Sequence, residues 1–275
     1  MPIYMDRHYE PGLTRDEIIE AHRQDLAIQD RYGVRFLTYW HDDVRGTVFC
    51  LIDSPDKESV VRLHTESHGS VPHEIIEVDP ALVEAFLGRV TDPRMSDGSG
   101  RPDERAIESA FRVIVFTDLK DSTAMTVQLG QSRAMQLLRA HNALVRNAVR
   151  EHCGREVKHT GDGFMLSFQK ASNAIGCSVA IQRAFREFNR RNRSYPLQVR
   201  IGMSAGEPVE EHGDLFGSAV QLASRVCAHA EPEQTLAAET VVRECGGLPI
   251  EFVPQGEVRF KGFLHPVAVY EVPCR

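Results

Sequence analysis

The sequence predicts an α+β protein made of two ferredoxin-like domains, each on the split β-α-β pattern. Three observations lead there. Helix-like and strand-like periods alternate in the order β-α-β-β-α-β within residues 1–90. A β-α-α-β-β-α-β order follows after residue 110, with added elements at the C-terminus. Between them Thr91 to Arg105 reads TDPRMSDGSGRPDER, rich in Pro, Gly, Ser and charge, with almost nothing to bury. The expected organisation is a first domain over 1–90, a linker over 91–109 and a second domain over 110–275.

In the first domain PIYMDRHY reads as a strand. TRDEIIEAHRQDLAIQDRYG reads as a helix, with Thr14 and Glu17 in capping-box spacing and Gly33 as its stop. VRFLTYWH and TVFCLID read as a hairpin across DDVRG. Ser59 to His68 reads as a second helix and HEIIEV as the closing strand. Cys50, in mid-strand, reads as a core residue.

The second domain opens with the apolar strand VIVFT, ending at Asp118. Two helical stretches follow, broken near Gly130. In the second, Met135, Leu138, His141, Val145, Ala148 and His152 recur at helical spacing. A hairpin around Gly161-Asp162-Gly163 comes next, then a helix over Ala174 to Phe188, the strand LQVRIGM and a helix carrying SAVQLASRV.

Composition narrows the function. The chain of 275 residues is 42% apolar and 26% charged, as soluble globular proteins are. A net charge of -7 argues against nucleic-acid or anionic-membrane partners. No run approaches the roughly 18 apolar residues of a membrane-spanning helix. The start lacks a signal-peptide core. Six cysteines without a C-x-x-C fit a reduced, cytoplasmic setting.

Asp162 carries two readings. Asp-Gly is a strong hairpin signal, so the aspartate serves as a turn former in the commoner case. Asp118, at the end of a buried strand, becomes its neighbour if that strand pairs with the hairpin. Two carboxylates at adjoining strand ends suit hard divalent cations. Two such ions clamp the attacking and leaving oxygens of an in-line phosphoryl displacement.

FTDLKDST, VKHTGDGFM, VRIGMSAGEP and GDLFGSAVQLASR resemble, in order and spacing, the motifs of class III nucleotidyl cyclase catalytic domains. GEVRFKGFLHPVAVYEV resembles the closing strands of the bacterial members. The resemblance covers about residues 110–273. It implies that Asp118, Asp162 and the backbone carbonyl of Leu119 hold two Mg²⁺ or Mn²⁺ ions. It implies that Lys158 and Asp214 read adenine, that Arg225 stabilises the pentavalent transition state, and that Arg200 contacts phosphate. Lys as donor and Asp as acceptor complement the adenine edge, whereas guanine presents the opposite groups. The family asparagine that orients the ribose is Gln221 here, with the same amide on a longer stem. The resemblance also implies a homodimer with sites shared between subunits, and ATP as the substrate.

LTRDEIIEAHRQDL and FCLIDSPDKESVVRLHTESHG resemble a small ferredoxin-like family of uncharacterised or proposed nickel-binding domains. The resemblance spans residues 1–78, where six of the twelve histidines fall: His8, His22, His41, His64, His68 and His73. His64 and His68 lie four apart, on one helical face. With His22 and His73 they form the candidate site for Ni²⁺ or another transition metal, since imidazole suits Ni, Zn, Cu and Fe. The alternative is a solvated, histidine-bearing helix.

The expected function is an adenylate cyclase that converts ATP to 3′,5′-cyclic AMP and pyrophosphate under control of the first domain. Gln221 leaves a second reading open, a nucleotide-binding regulator with weak or no turnover. A third is a metal-binding protein acting through its histidine-rich domain.

Overall fold

The structure is a computed structural model and describes residues 1–92, 108–208, 210–211 and 214–274. Most of the expected linker, residues 93–107, lies outside the described residues. The chain divides into two compact units. One comprises Met1–Phe111 with Pro208–Leu215, the other Arg112–Glu207 with Phe216–Arg275.

The first unit runs β1 (Ile3–Tyr9), α1 (Arg15–Ile28), β2 (Arg35–Asp42), β3 (Thr47–Asp53), α2 (Lys57–Ser67), β4 (Glu74–Glu77) and α3 (Pro80–Leu87). Its sheet has the order β2-β3-β1-β4, all antiparallel. The α1 capping box forms as expected: the Glu17 amide donates to Thr14 Oγ1, and the Glu17 carboxylate accepts from the Thr14 amide at 2.8 Å. A 3-10 turn over Gln29–Tyr32 extends the helix to Gly33, whose φ of 64° ends it. Ile18, Ile19, Phe36, Val60 and Leu63 bury a shared core between these helices and the sheet, and Cys50 joins it.

One helix start and one whole helix of this unit differ from the expectation. α2 begins at Lys57, because Asp56 accepts from the Ser59 amide at 2.7 Å and caps the helix there. α3 was not expected at all, although its signals are complete: an Asp79 cap, Pro80 in the first turn and Gly88 at φ 85°.

The second unit runs β5 (Arg112–Leu119), α4 (Ser122–Glu151), β6 (Arg155–His159), β7 (Gly163–Phe168), α5 (Ala171–Arg191) and β8 (Val199–Gly206). The hairpin β9 (Glu210–Glu211) and β10 (Asp214–Leu215) falls next in sequence. Then come α6 (Gly217–His229), β11 (Thr235–Ala238), α7 (Glu239–Arg243), β12 (Val253–Val258) and β13 (Val267–Glu271). The seven-stranded sheet has the order β12-β13-β11-β8-β5-β7-β6. β5 therefore sits inside the sheet, which explains its unbroken apolar run.

α4 breaks at Gly130 (φ 73°, ψ 159°), as expected. Its buried stripe does not begin at Met135, which is 45% exposed. Ala134, two turns before His141, takes that place, and His141, Val145 and Ala148 continue the stripe. Seven residues make two turns of helix, so Ala134 shares the face of His141 and Met135 is rotated off it.

Candidate functional site

β5 is flanked by β7 and β8, and at Asp118 the register pairs it with Gly163 on one side and Arg200 on the other. The turn Thr160–Asp162 thus lies beside the end of β5. The Leu119 amide donates to the Asp162 carbonyl at 3.1 Å. Asp118, Leu119, Asp121, Ser122, Thr123 and Asp162 line an open cleft of about 510 Å³.

The glycines make this turn. Gly161 has φ 93°, which side-chain-bearing residues rarely adopt. At Gly163 a Cβ would stand 2.3 Å from the Thr117 carbonyl oxygen, so the strands approach only because the position has no side chain. The carboxylate of Asp162 is not needed for the turn. It accepts a hydrogen bond from the Ser122 hydroxyl, the first residue of α4.

Arg200 reaches across from β8. Its Nε and Nη2 lie 2.7 and 2.6 Å from Asp118 Oδ2, and its Nη1 donates to the Ala228 carbonyl at 3.1 Å. Both carboxylates of the cleft are thus met by protein donors. Their hard oxygen ligands fit Mg²⁺ or Mn²⁺.

Lys158 is exposed on β6, in register with Met165. Gln221 and Arg225 lie one turn apart on the exposed face of α6, while Leu222, Ala223 and Val226 bury the other face. α6 is held close to β8 by Gly202, where a Cβ would meet the Cys227 amide nitrogen at 2.0 Å. Asp214 opens β10 opposite Glu211. The fold therefore gathers Asp118, Leu119, Asp162 and Arg200 in one place. Lys158, Gln221 and Arg225 do not line that cleft among the described residues.

The first unit holds a second polar constellation. His64 on α2 is buried, with Nε2 at 2.8 Å from Asp6 Oδ2 and Nδ1 at 3.3 Å from Asp25 Oδ1. Burial opposes a charge on this ring. The hydrogen bonds to Asp25 and Asp6 outweigh it and push His64 up to about 10. Burial also opposes the charges on the two aspartates. Charge attraction from His8 and the hydrogen bond to His64 still hold Asp6 well below the usual range, and bonds from His64, His68 and Ser67 lower Asp25 to about 2.

His68 joins this group, at 3.1 Å from Asp25. His22 and His73 do not belong to either three-ligand group found there among the described residues. His22 faces Asp92 at 3.4 Å, and His73 accepts from the Tyr9 amide at 3.2 Å. Asp6, His8 and Asp25 escaped the sequence reading. Asp6 and His8 alternate on β1, which puts them on one face of the sheet, and that spacing was the available signal.

The comparisons bear on both units. The family model of the adenylate and guanylate cyclase catalytic domain matches residues 109–272. The chain belongs to this family. The cyclase domain is 32% identical over 159 residues to the uncharacterized protein Rv2212 of Mycobacterium tuberculosis, covering 58% of this chain and 40% of that protein. It is 34% identical over 160 residues to the adenylate cyclase of Mycosarcoma maydis, covering 49% and 6%. The chain thus spans well under half the length of these curated relatives.

Among solved structures, the adenylate/guanylate cyclase/hydrolase from Silicibacter pomeroyi is 29% identical with a TM-score of 0.50, covering 59% of this chain and 96% of that one. The adenylyl cyclase CyaB from P. aeruginosa is 20% identical with a TM-score of 0.53, covering 59% and 93%, and shares the fold of the cyclase domain. The model of the nickel responsive protein SCO4226-like family matches residues 4–78. No helix among the described residues is long and apolar enough to cross a membrane.

Proposed function

We propose that the chain is an adenylate cyclase that converts ATP to 3′,5′-cyclic AMP and pyrophosphate, with residues 1–90 as a metal-responsive regulatory domain and residues 110–275 as the catalytic one. The observation that carries the reading is the meeting of Asp118 and Asp162 in one cleft, joined by the register of β5 with β7. In the reaction the ribose 3′-hydroxyl gives its proton to solvent water, its oxygen bonds to the α-phosphorus, and the bond from that phosphorus to the bridging oxygen breaks to release pyrophosphate.

Two divalent cations held by Asp118, Asp162 and the Leu119 carbonyl supply charge for the phosphates and acidify the 3′-hydroxyl when bound. Arg200 leaves Asp118 and turns its guanidinium toward phosphate oxygens. Lys158 donates to the adenine ring nitrogen and Asp214 accepts from the exocyclic amino group. Gln221 holds the ribose, and Arg225 meets the charge that builds on the phosphoryl oxygens. The exposed face of α6 carrying Gln221 and Arg225, apart from the Asp118–Asp162 cleft, supports a homodimer in which each site takes its metal ligands from one subunit and these residues from the other.

Incubating the purified chain with ATP or GTP and Mg²⁺ or Mn²⁺, then identifying products, tests this. Cyclic AMP from ATP, well above cyclic GMP from GTP, is expected. Equal use of GTP rejects the roles of Lys158 and Asp214. The longer stem of Gln221 favours a second reading, a nucleotide-binding regulator, because a shift of about 1 Å can cost roughly 100-fold in rate. ATP binding without any product selects that reading.

A further inference from the structure

The two carboxylates of the cleft are held in different ways. Asp162 accepts from a neutral hydroxyl, that of Ser122, which leaves its negative charge in place. Asp118 instead faces a cation. Arg200 stands opposite it in the β5–β8 register, and two guanidinium nitrogens, Nε at 2.7 Å and Nη2 at 2.6 Å, converge on the same oxygen, Oδ2.

The place of Arg200 is built by the fold. Cross-strand pairing sets it opposite Asp118. Gly202, two residues on, lets α6 close on β8, and the Ala228 carbonyl then accepts from Nη1 at 3.1 Å. Ala228 lies in the last turn of α6, where carbonyls have no partner within the helix and the helix dipole favours a cation. All three guanidinium nitrogens are thus engaged, two on Asp118 and one on α6. Both side chains of the pair remain 34% exposed, so an ion or a phosphate arriving by the cleft can reach them.

This arrangement puts a single positive charge where the metal reading needs a dication. An ion about 2.1 Å from Asp118 Oδ2, as Mg²⁺ requires, would crowd the guanidinium that holds the same oxygen, and the two cations repel. Metal binding to the free chain must therefore break the pair. A triphosphate changes the balance. Its oxygens offer the guanidinium the planar, bidentate partner that a carboxylate does, with more negative charge.

We propose that Arg200 is a place-holder: it occupies the metal position on Asp118 in the free chain and exchanges Asp118 for nucleotide phosphate, so that metal binds at full strength only once nucleotide is present. The nucleotide arm of the proposal rests on the cyclase reading. The metal arm concerns the free chain and is tested by binding rather than turnover.

The test measures Mn²⁺ binding to the full chain by electron paramagnetic resonance of the free ion, with Asp162→Ala as the reference that subtracts ions bound outside the cleft. Arg200→Gln should tighten Mn²⁺ roughly 3–10-fold, the strength of a partly exposed ion pair. Lys158→Gln removes the same charge from outside the cleft and should leave Mn²⁺ binding as it is. At saturating free Mn²⁺, Arg200→Gln should weaken 3′-deoxy-ATP, which lacks the reacting hydroxyl, by about 10-fold or more, as loss of a charged hydrogen bond does. Opposite signs for the two ligands mark a group that exchanges partners, whereas a merely structural role weakens both. Melts followed by circular dichroism report whether each variant is folded. Should Arg200→Gln unfold, the Nε proton of Arg200 in ¹⁵N NMR of the unmodified chain decides. It should shift as Mg²⁺ is added, and a resonance that stays in place while Mg²⁺ binds overturns the proposal. So does Mn²⁺ binding that is unchanged or weaker in Arg200→Gln, an equal tightening in Lys158→Gln, or 3′-deoxy-ATP binding that Arg200→Gln leaves unchanged. Tighter Mn²⁺ in Arg200→Gln with no nucleotide binding to the unmodified chain upholds the metal arm and removes the cyclase reading on which the other arm rests.

Discussion

At the residue scale, Asp162 illustrates how a turn signal and a ligand coexist. Gly161 supplies the positive φ and Gly163 the close approach, so the aspartate side chain is spared for other work. Asp162→Asn should therefore abolish cyclase turnover while the thermal midpoint stays nearly unchanged. A variant that unfolds, with its folded fraction fully active, would return Asp162 to a turn former. Gly163→Ala should instead destabilise, by about 1–3 kcal/mol as overpacked positions do, and a urea titration reads that difference. Cysteine reactivity separates by burial. Burial pushes the Cys177 and Cys227 thiols up to about 12, whereas Cys153 is exposed. A thiol reagent at neutral pH should label Cys153 in the native chain and reach Cys177 and Cys227 only after denaturant is added.

At the element scale, Gly202 on β8 lets α6 lie close to the sheet, and α4 buries His141 against Phe164 of β7. Gly202→Ala should push α6 off β8, because the new methyl meets backbone rather than a flexible side chain. The expected loss is about 1–3 kcal/mol or more, with activity falling further than stability, since Gln221 and Arg225 ride on that helix. On α4, His141 is fully buried against Phe164, and burial holds its ring below the ordinary histidine range. The folded state then resists a proton that the unfolded chain accepts below about pH 6.5. Stability should fall as pH drops through that window, by up to roughly 1.4 kcal/mol per pH unit for this one proton. Denaturant titrations between pH 7.5 and 5.5 should show the slope, and His141→Leu should flatten it. An unchanged slope in that variant assigns the effect elsewhere.

At the scale of the whole molecule, the proposed split site makes a prediction that no single chain can mimic. Asp118→Ala and Arg225→Ala homodimers each have two broken sites. A mixed dimer places both damaged residues in one site and leaves the other intact. With random exchange half the dimers are mixed, so activity should recover to about a quarter of the unmodified level under two-fold symmetry. Exchange is verified separately by mass spectrometry. A fully exchanged mixture that stays inactive rejects sharing across a dimer.

Local chemistry made much of this protein legible from sequence alone. The capping box at Thr14, the break at Gly130, the glycine-flanked turn at Asp162 and the apolar run of β5 each depend on near neighbours in the chain, and each stands where its residues predict. The collinear cyclase motifs likewise carry the family, because spacing along the chain is a sequence property. Tertiary structure alone decided which distant groups meet. Arg200 reaches Asp118 because β5 and β8 are neighbours, an adjacency set by burying the apolar faces of the whole sheet. The partners of His64 were decided in the same way. His68 is local, one turn away, but Asp6, His8 and Asp25 arrive from β1 and α1, while His22 and His73 are directed to other partners. Helical spacing reports one face of one element. Which strand packs beneath that face follows from the global arrangement of apolar surface, and no short stretch of sequence contains it.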